Sequence, residues 1–163
     1  RWLLFLFLKG ELKMYSKKVK YKGFDGHDVE EVVRLNLTKA EVLNLDMKYE
    51  DYGGLIGYYR KMVTDIKEGE ASWRPYVSFL QSVILAAYGK RTEDGRFIKK
   101  INGVPLSEEF ETSEAYAALL IPLLSEEGIQ ELEPMMLGIF PDMDEGEYEK
   151  GKEQVKADLG LTE

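Results

Sequence analysis

SWRPYVSFLQSVILAAYG, residues 72–89, is the stretch whose reading decides the fold. Within it Tyr76, Phe79, Leu80, Val83, Ile84 and Ala87 recur at intervals of three and four, which gathers apolar side chains along one face of a helix. Ser72 is placed to cap that helix. Pro75 falls in the first turn, where a missing N–H costs nothing, and Gly89 offers the left-handed residue that commonly ends a helix. Burying Phe79, Leu80, Val83 and Ile84 at about 1.5–3 kcal/mol each contributes roughly 6–12 kcal/mol before entropy, comparable with the net stability of a whole domain. The helix is therefore expected at the centre of the core.

Working outward, the chain of 163 residues is long enough for one domain that buries about two-thirds of its unfolded surface. Hydrophobic content of 44% and charged content of 32% describe an ordered globular protein with a well-charged surface. A net charge of −8 repels phosphate backbones, so binding to nucleic acid or an anionic membrane has no electrostatic support. A basic or mainly apolar protein partner fits better. The absence of cysteine removes disulfides, thiolate metal sites and a cysteine nucleophile, and suits a reducing cytoplasm.

Trp2 to Leu8 is an apolar run far shorter than the ~20 residues a membrane-spanning helix needs. Met14 is read as the true start, with residues 1–13 as translated leader and residues 14–141 as a single domain. From Lys17 to Leu37 the pattern has period two. Val19 and Tyr21 alternate with lysines, and Val33, Leu35 and Leu37 alternate with Arg34 and Asn36, on either side of Asp25-Gly26. A β-hairpin is expected with a type I′ turn at Asp25-Gly26, or with the turn shifted by a residue or two through Gly23 and His27, packed by its apolar face on helices.

Thr38-Lys39-Ala40-Glu41 has the form of a capping box, with Leu37 and Val42 as its hydrophobic staple, so a helix runs from there to about Tyr49. Gly53-Gly54 breaks the chain. Leu55, Tyr59, Met62, Val63 and Ile66 mark a further helix ending near Gly69. After the central helix, Thr92-Glu93-Asp94-Gly95 is a turn and Arg96-Phe97-Ile98 a short extended piece before Asn102-Gly103. Two helices close the domain, residues 113–124 with Pro122 interrupting the last turn, and residues 126–140 with Pro134 inside. The expected fold is α+β, an N-terminal β-hairpin on a mainly helical bundle of about five helices. Residues 142–163 carry eight acidic and three basic residues and read as an acidic tail, either mobile or a loosely held charged helix.

Chemistry is sparse. The only histidine, His27, falls in the hairpin turn with no accompanying nucleophile pattern. Gly146 to Lys152 imitates the spacing of a phosphate-binding loop. It lacks the final Ser/Thr, holds two carboxylates and follows no apolar strand. Asp142 to Glu153 imitates a calcium loop with its glycine one place early. Neither reads as a site, and no catalytic residue, metal or cofactor is expected. What remains is apolar surface. Leu119, Leu123, Met135, Met136, Ile139 and Phe140 are the residues a partner-binding patch would use, with adjacent methionines to adapt it, while the same spacing describes ordinary core.

Residues 36–41 (NLTKAE), Gly53-Gly54-Leu55, residues 84–90 (ILAAYGK) leading to residues 93–99 (EDGRFIK), then Glu109-Phe110 and Thr112 to Tyr116, and finally Ile139-Phe140-Pro141, form an ordered set. The set resembles the tail assembly chaperones of long-tailed phages infecting Gram-positive bacteria, over residues 14–141. The resemblance implies a non-enzymatic protein of the host cytoplasm, absent from the mature virion, that binds the helical and partly apolar tape-measure protein and keeps it soluble. Self-association and a frameshift-extended form belong to the same picture. Two other readings stay open: an acidic mimic of DNA that blocks a nucleic-acid-binding protein, and a minor structural protein of the virion.

Overall fold

In the computed structural model of the chain, which describes residues 14–70, 72–141 and positions 150, 153, 157, 158 and 160, the polypeptide begins with two paired strands. The expected leader lies outside the described residues, as do nearly all of the acidic tail and most of the two loop look-alikes within it. Strands β1 (Tyr15–Lys22) and β2 (Asp28–Leu35) are antiparallel, in register from Tyr15 opposite Leu35 to Lys22 opposite Asp28. The period-two pattern sorts as expected. Val19 and Val33 are buried, and Lys18, Lys20 and Lys22 face out.

The turn is the shifted alternative and not the type I′ pair. A type I′ pair needs positive φ at both positions, and of Asp25 and Gly26 only Gly26 has it, at 82°. Instead Gly26 N–H donates to the Gly23 carbonyl at 2.9 Å and Gly23 N–H to the His27 carbonyl at 2.8 Å. The loop therefore spans residues 23–27, with its one left-handed glycine at the exit.

Beyond β2 the chain ties three elements together within three residues. Asn36 N–H donates to Ala87 C=O at 2.8 Å and Leu37 N–H to Ile139 C=O at 2.9 Å, each at the end of a different helix. Thr38 then caps helix α1 (Lys39–Lys48) with both halves of the capping box present. Lys99 completes the knot. Its ammonium donates to Glu41 Oε2 at 2.5 Å and to Ala86 C=O at 2.8 Å, so it satisfies a carbonyl left unpaired at a helix end while it neutralises the capping carboxylate.

A 3₁₀ turn (Glu50–Tyr52) leads to helix α2 (Gly54–Lys67), whose first turn is held by Asp46 accepting from Leu55 N–H at 2.8 Å. The central helix α3 (Trp73–Ala87) buries Tyr76, Phe79, Leu80, Val83, Ile84 and Ala87, the six residues its spacing picked out. Ser72 occupies the N-cap position in extended geometry, but its side chain makes no capping bond.

Gly89 is not the left-handed end of α3. The helix stops at Ala87, Tyr88 turns to extended geometry, and Gly89 lies in strand β3 (Tyr88–Arg91). Its missing side chain has a different cause. A Cβ there would stand 2.6 Å from the Ile98 carbonyl oxygen and 2.7 Å from the Phe97 ring.

Strand β3 pairs with β2 at Arg34 and Leu35, and with β4 (Phe97–Ile98) across the expected Thr92–Gly95 turn. The expected hairpin is thus the edge of a four-stranded antiparallel sheet in the order β1-β2-β3-β4. A second small hairpin joins β5 (Lys100–Ile101) to β6 (Val104–Pro105). Here Asn102 and Gly103 both take positive φ, 50° and 78°, as a type I′ turn requires.

Helix α4 (Leu106–Glu111), not anticipated, brings Phe110 against Tyr88 with ring centroids 3.7 Å apart. Helix α5 (Glu114–Leu120) gives way at Pro122 to a 3₁₀ turn (Ile121–Leu124), as the proline foretold. Helix α6 (Glu126–Ile139) runs on through Pro134. Six α-helices occur among the described residues, against about five expected. The fold is α+β, with one hydrophobic core shared by the inner face of the sheet and the helices.

Candidate partner-binding surface

All six apolar residues singled out in the last two helices are buried in that core, none more than 4% exposed. They hold structure together: the Leu123 carbonyl accepts from Tyr76 Oη at 2.7 Å, and the Ile139 carbonyl accepts from Leu37. Burial pushes the Tyr76 hydroxyl up to about 12, so that bond keeps its proton over the ordinary pH range. The six residues form no surface patch. The spacing that suggested a patch is that of the α5 and α6 stripes facing inward.

His27 sits at the exposed hairpin tip, where its ring Nδ1 lies 3.0 Å from Asp25 Oδ2 and its N–H donates to Asp25 Oδ1 at 3.1 Å. The His27 backbone N–H, and then its ring, hold the Asp25 carboxyl below the usual range. This is a braced loop without a nucleophile beside it. No group of three or more metal-ligating side chains occurs among the described residues. No helix there is long and apolar enough to cross a membrane.

A groove lies between the C-terminal half of α2 and the start of α3, with a volume of about 260 Å³. Its apolar wall is Tyr52, Tyr58, Met62, Ile66, Pro75 and Tyr76, and Lys61, Asp65, Glu70 and Ser72 stand along its rim. Tyr58 is the pivot, stacked on Tyr49 at 4.5 Å, tilted against Tyr52 at 4.8 Å and against Phe79 at 5.5 Å. The Gly53-Gly54 break, with positive φ at both residues, folds the chain back so that Tyr52 and Tyr58 meet. Desolvation, then its tyrosine neighbours, raises the Tyr58 hydroxyl. Lys61 and Asp65 pair across one helical turn at 2.5 Å, while Glu70 forms no ion pair among the described residues. Sequence reasoning missed this groove. The signal available was the density of tyrosines at 49, 52, 58 and 59 around a double glycine.

Two further surface features stand out. Phe24, in the loop 23–27, is the most exposed large apolar side chain among the described residues, ahead of Ile121, Met47, Trp73 and Val104. Charge is also unevenly spread. Residues 88–105 hold five basic and two acidic residues, and residues 106–141 hold eight acidic residues and no lysine or arginine. Of those eight carboxylates, only Glu131 forms an ion pair among the described residues, with Lys17 at 3.1 Å.

Compared with known proteins, residues 14–158 match a family model described as phage tail assembly chaperone. The match begins at Met14 and continues past Pro141 into the stretch read as an acidic tail. No curated protein and no solved structure matches the chain.

Proposed function

Because the chain belongs to the phage tail assembly chaperone family, we propose that it binds the tape-measure protein of a long-tailed phage and keeps that long, partly apolar helical chain soluble until the tail tube forms around it. The protein acts by holding, and no bond is made or broken. Its place is the host cytoplasm during assembly, and it is left out of the finished particle. The observation that carries this reading is the family match over residues 14–158.

The surface suits the role. Exposed apolar side chains such as Trp73 and Ile121 can cover matching positions on a helix, and the carboxylates of residues 106–141 keep a complex hydrated and apart from its neighbours. Met135, Met136, Ile139 and Phe140 take part in contact only if α6 lifts from the core, which breaks the Leu37 to Ile139 bond, and Leu119 and Leu123 only if α5 and the 3₁₀ turn after it do the same.

Co-expression with the tape-measure product of the neighbouring gene tests the proposal. A soluble complex that elutes as one species is expected, and an insoluble product with no complex overturns it. The stretch of carboxylates without cations also suits an acidic mimic of nucleic acid. Salt-sensitive competition for a basic DNA-binding protein would favour that second reading.

A further inference from the structure

We propose that the groove between α2 and α3 receives an arginine side chain of a partner protein, with its aliphatic stem on the apolar wall and its guanidinium between the tyrosine rings and the Glu70 carboxylate. This inference does not depend on the tape-measure reading, since it concerns what the groove recognises and not which protein carries the arginine.

The wall suits a side chain that is apolar along its stem and cationic at its tip. Met62, Ile66 and Pro75 offer aliphatic surface, and Tyr52 and Tyr58 offer rings 4.8 Å apart and inclined at 59°. A cation over such a ring gains about 0.5–1 kcal/mol when exposed and ~2 kcal/mol when desolvated. The rings are set in place beforehand, since Tyr58 lies stacked on Tyr49, so little ordering is needed on binding. The same cluster already takes one cation from within the chain. Lys48 Nζ stands 5.6 Å from the centroid of the Tyr49 ring.

The rim supplies the charge. Of its three ionic groups, Lys61 and Asp65 neutralise each other, which leaves the Glu70 carboxylate as the uncompensated one. Glu70 is held there by its backbone: Gly69 takes a left-handed φ of 72°, and Glu70 N–H donates back to the Asp65 carbonyl at 2.9 Å. Within a chain of net charge −8, a cationic ligand is also drawn in from a distance.

Size and chemistry together select arginine. An apolar cavity of about 150 Å³ accepts benzene, so the groove of about 260 Å³ accepts one long side chain and not a helix. A leucine or phenylalanine would cover the wall but strip water from Glu70 without giving it a partner. A lysine would give a point charge that is strongly hydrated. The guanidinium is planar, stacks on an aromatic face and pairs with a carboxylate through two parallel hydrogen bonds.

Titration of the full chain with the peptide acetyl-Ala-Ala-Arg-Ala-Ala-amide, read by the ring-proton NMR shifts of Tyr52 and Tyr58, tests the proposal. Saturable shifts at both rings in the millimolar range are expected. The same peptide with citrulline, neutral and of the same shape, or with leucine should bind at least about tenfold more weakly. Glu70→Gln, which breaks no ion pair among the described residues, should weaken the arginine peptide about fivefold or more, while Glu108→Gln, the same change of charge on α4, should leave it unaltered. Thermal melts of both variants should match the parent. Citrulline or leucine peptides that bind as well as arginine overturn the proposal. So do equal losses in the two variants, which would mean attraction to net charge alone, and the absence of shifts at Tyr52 and Tyr58.

Discussion

Gly128→Ala is a change for which helix propensity and packing predict opposite signs. Gly128 lies in the first turn of α6, where alanine improves helix propensity by at most about 1 kcal/mol. The structure gives the larger, opposing effect. A Cβ at this position would overlap the Pro122 carbonyl and come within 2.7 Å of Leu123 Cα, both backbone atoms with little freedom to yield. Overpacking of this kind costs about 1–3 kcal/mol. Pushing the 3₁₀ turn outward also strains the Tyr76 to Leu123 hydrogen bond, which contributes roughly 0.5–1.5 kcal/mol.

The clash therefore wins, by about 2 kcal/mol near the middle of that range, which for a chain of this size lowers Tm by roughly 4–8 °C. Thermal and urea melts of parent and variant read the change directly. Tyr76→Phe, expected to cost about 1 kcal/mol by itself, should cost less in the Gly128→Ala background, because the shared bond is already weakened. A Gly128→Ala protein that melts at or above the parent temperature refutes the packing argument.

Removal of the capping hydroxyl by Thr38→Ala should cost about 1 kcal/mol in a urea melt, within the usual 0.5–2 kcal/mol for a lost N-cap. An unchanged midpoint would show that the bonds of Asn36 and Leu37 hold α1 without it. The Asp25 and Asp94 carboxyls, both exposed, are held below their ordinary value of 3.8, Asp25 by the His27 backbone N–H and then its ring, Asp94 by the Thr92 hydroxyl and then the Arg96 side chain. A depressed folded pKa means that their contribution to the two loops is present above 3.8 and is lost as pH falls through the depressed value. Carboxyl-carbon NMR titrations with midpoints below 3.8 are expected for both, and midpoints at or above it would refute the bracing.

Local signals in the chain were legible wherever a few adjacent residues decide the outcome. The Thr38–Glu41 capping box, the buried face of α3, the break at Pro122 and the outward lysines of β1 all follow from neighbours in sequence. Gly89 misled because a glycine after an apolar helical stripe has two explanations, a left-handed cap or a close backbone approach. Only the distant Phe97 and Ile98 distinguish them. The four-stranded sheet was hidden for the same reason, since β2 meets β3 at just two residues far away in the chain. The six apolar residues of α5 and α6 read as patch or core because periodicity reveals a stripe and not what covers it. The tyrosine groove was invisible because it is assembled by a chain reversal between two helices.

The division of charge described above also bears on how the molecule meets a charged partner. With cations in excess in residues 88–105, and carboxylates without cations along residues 106–141, the net anion carries its charge unevenly along the chain. Within the ~8–10 Å reach of unscreened fields, the helices of residues 106–141 attract a positively charged surface before contact. Encounters would then be pre-aligned at low ionic strength and random at high, so that added salt slows capture more than it loosens what has been captured.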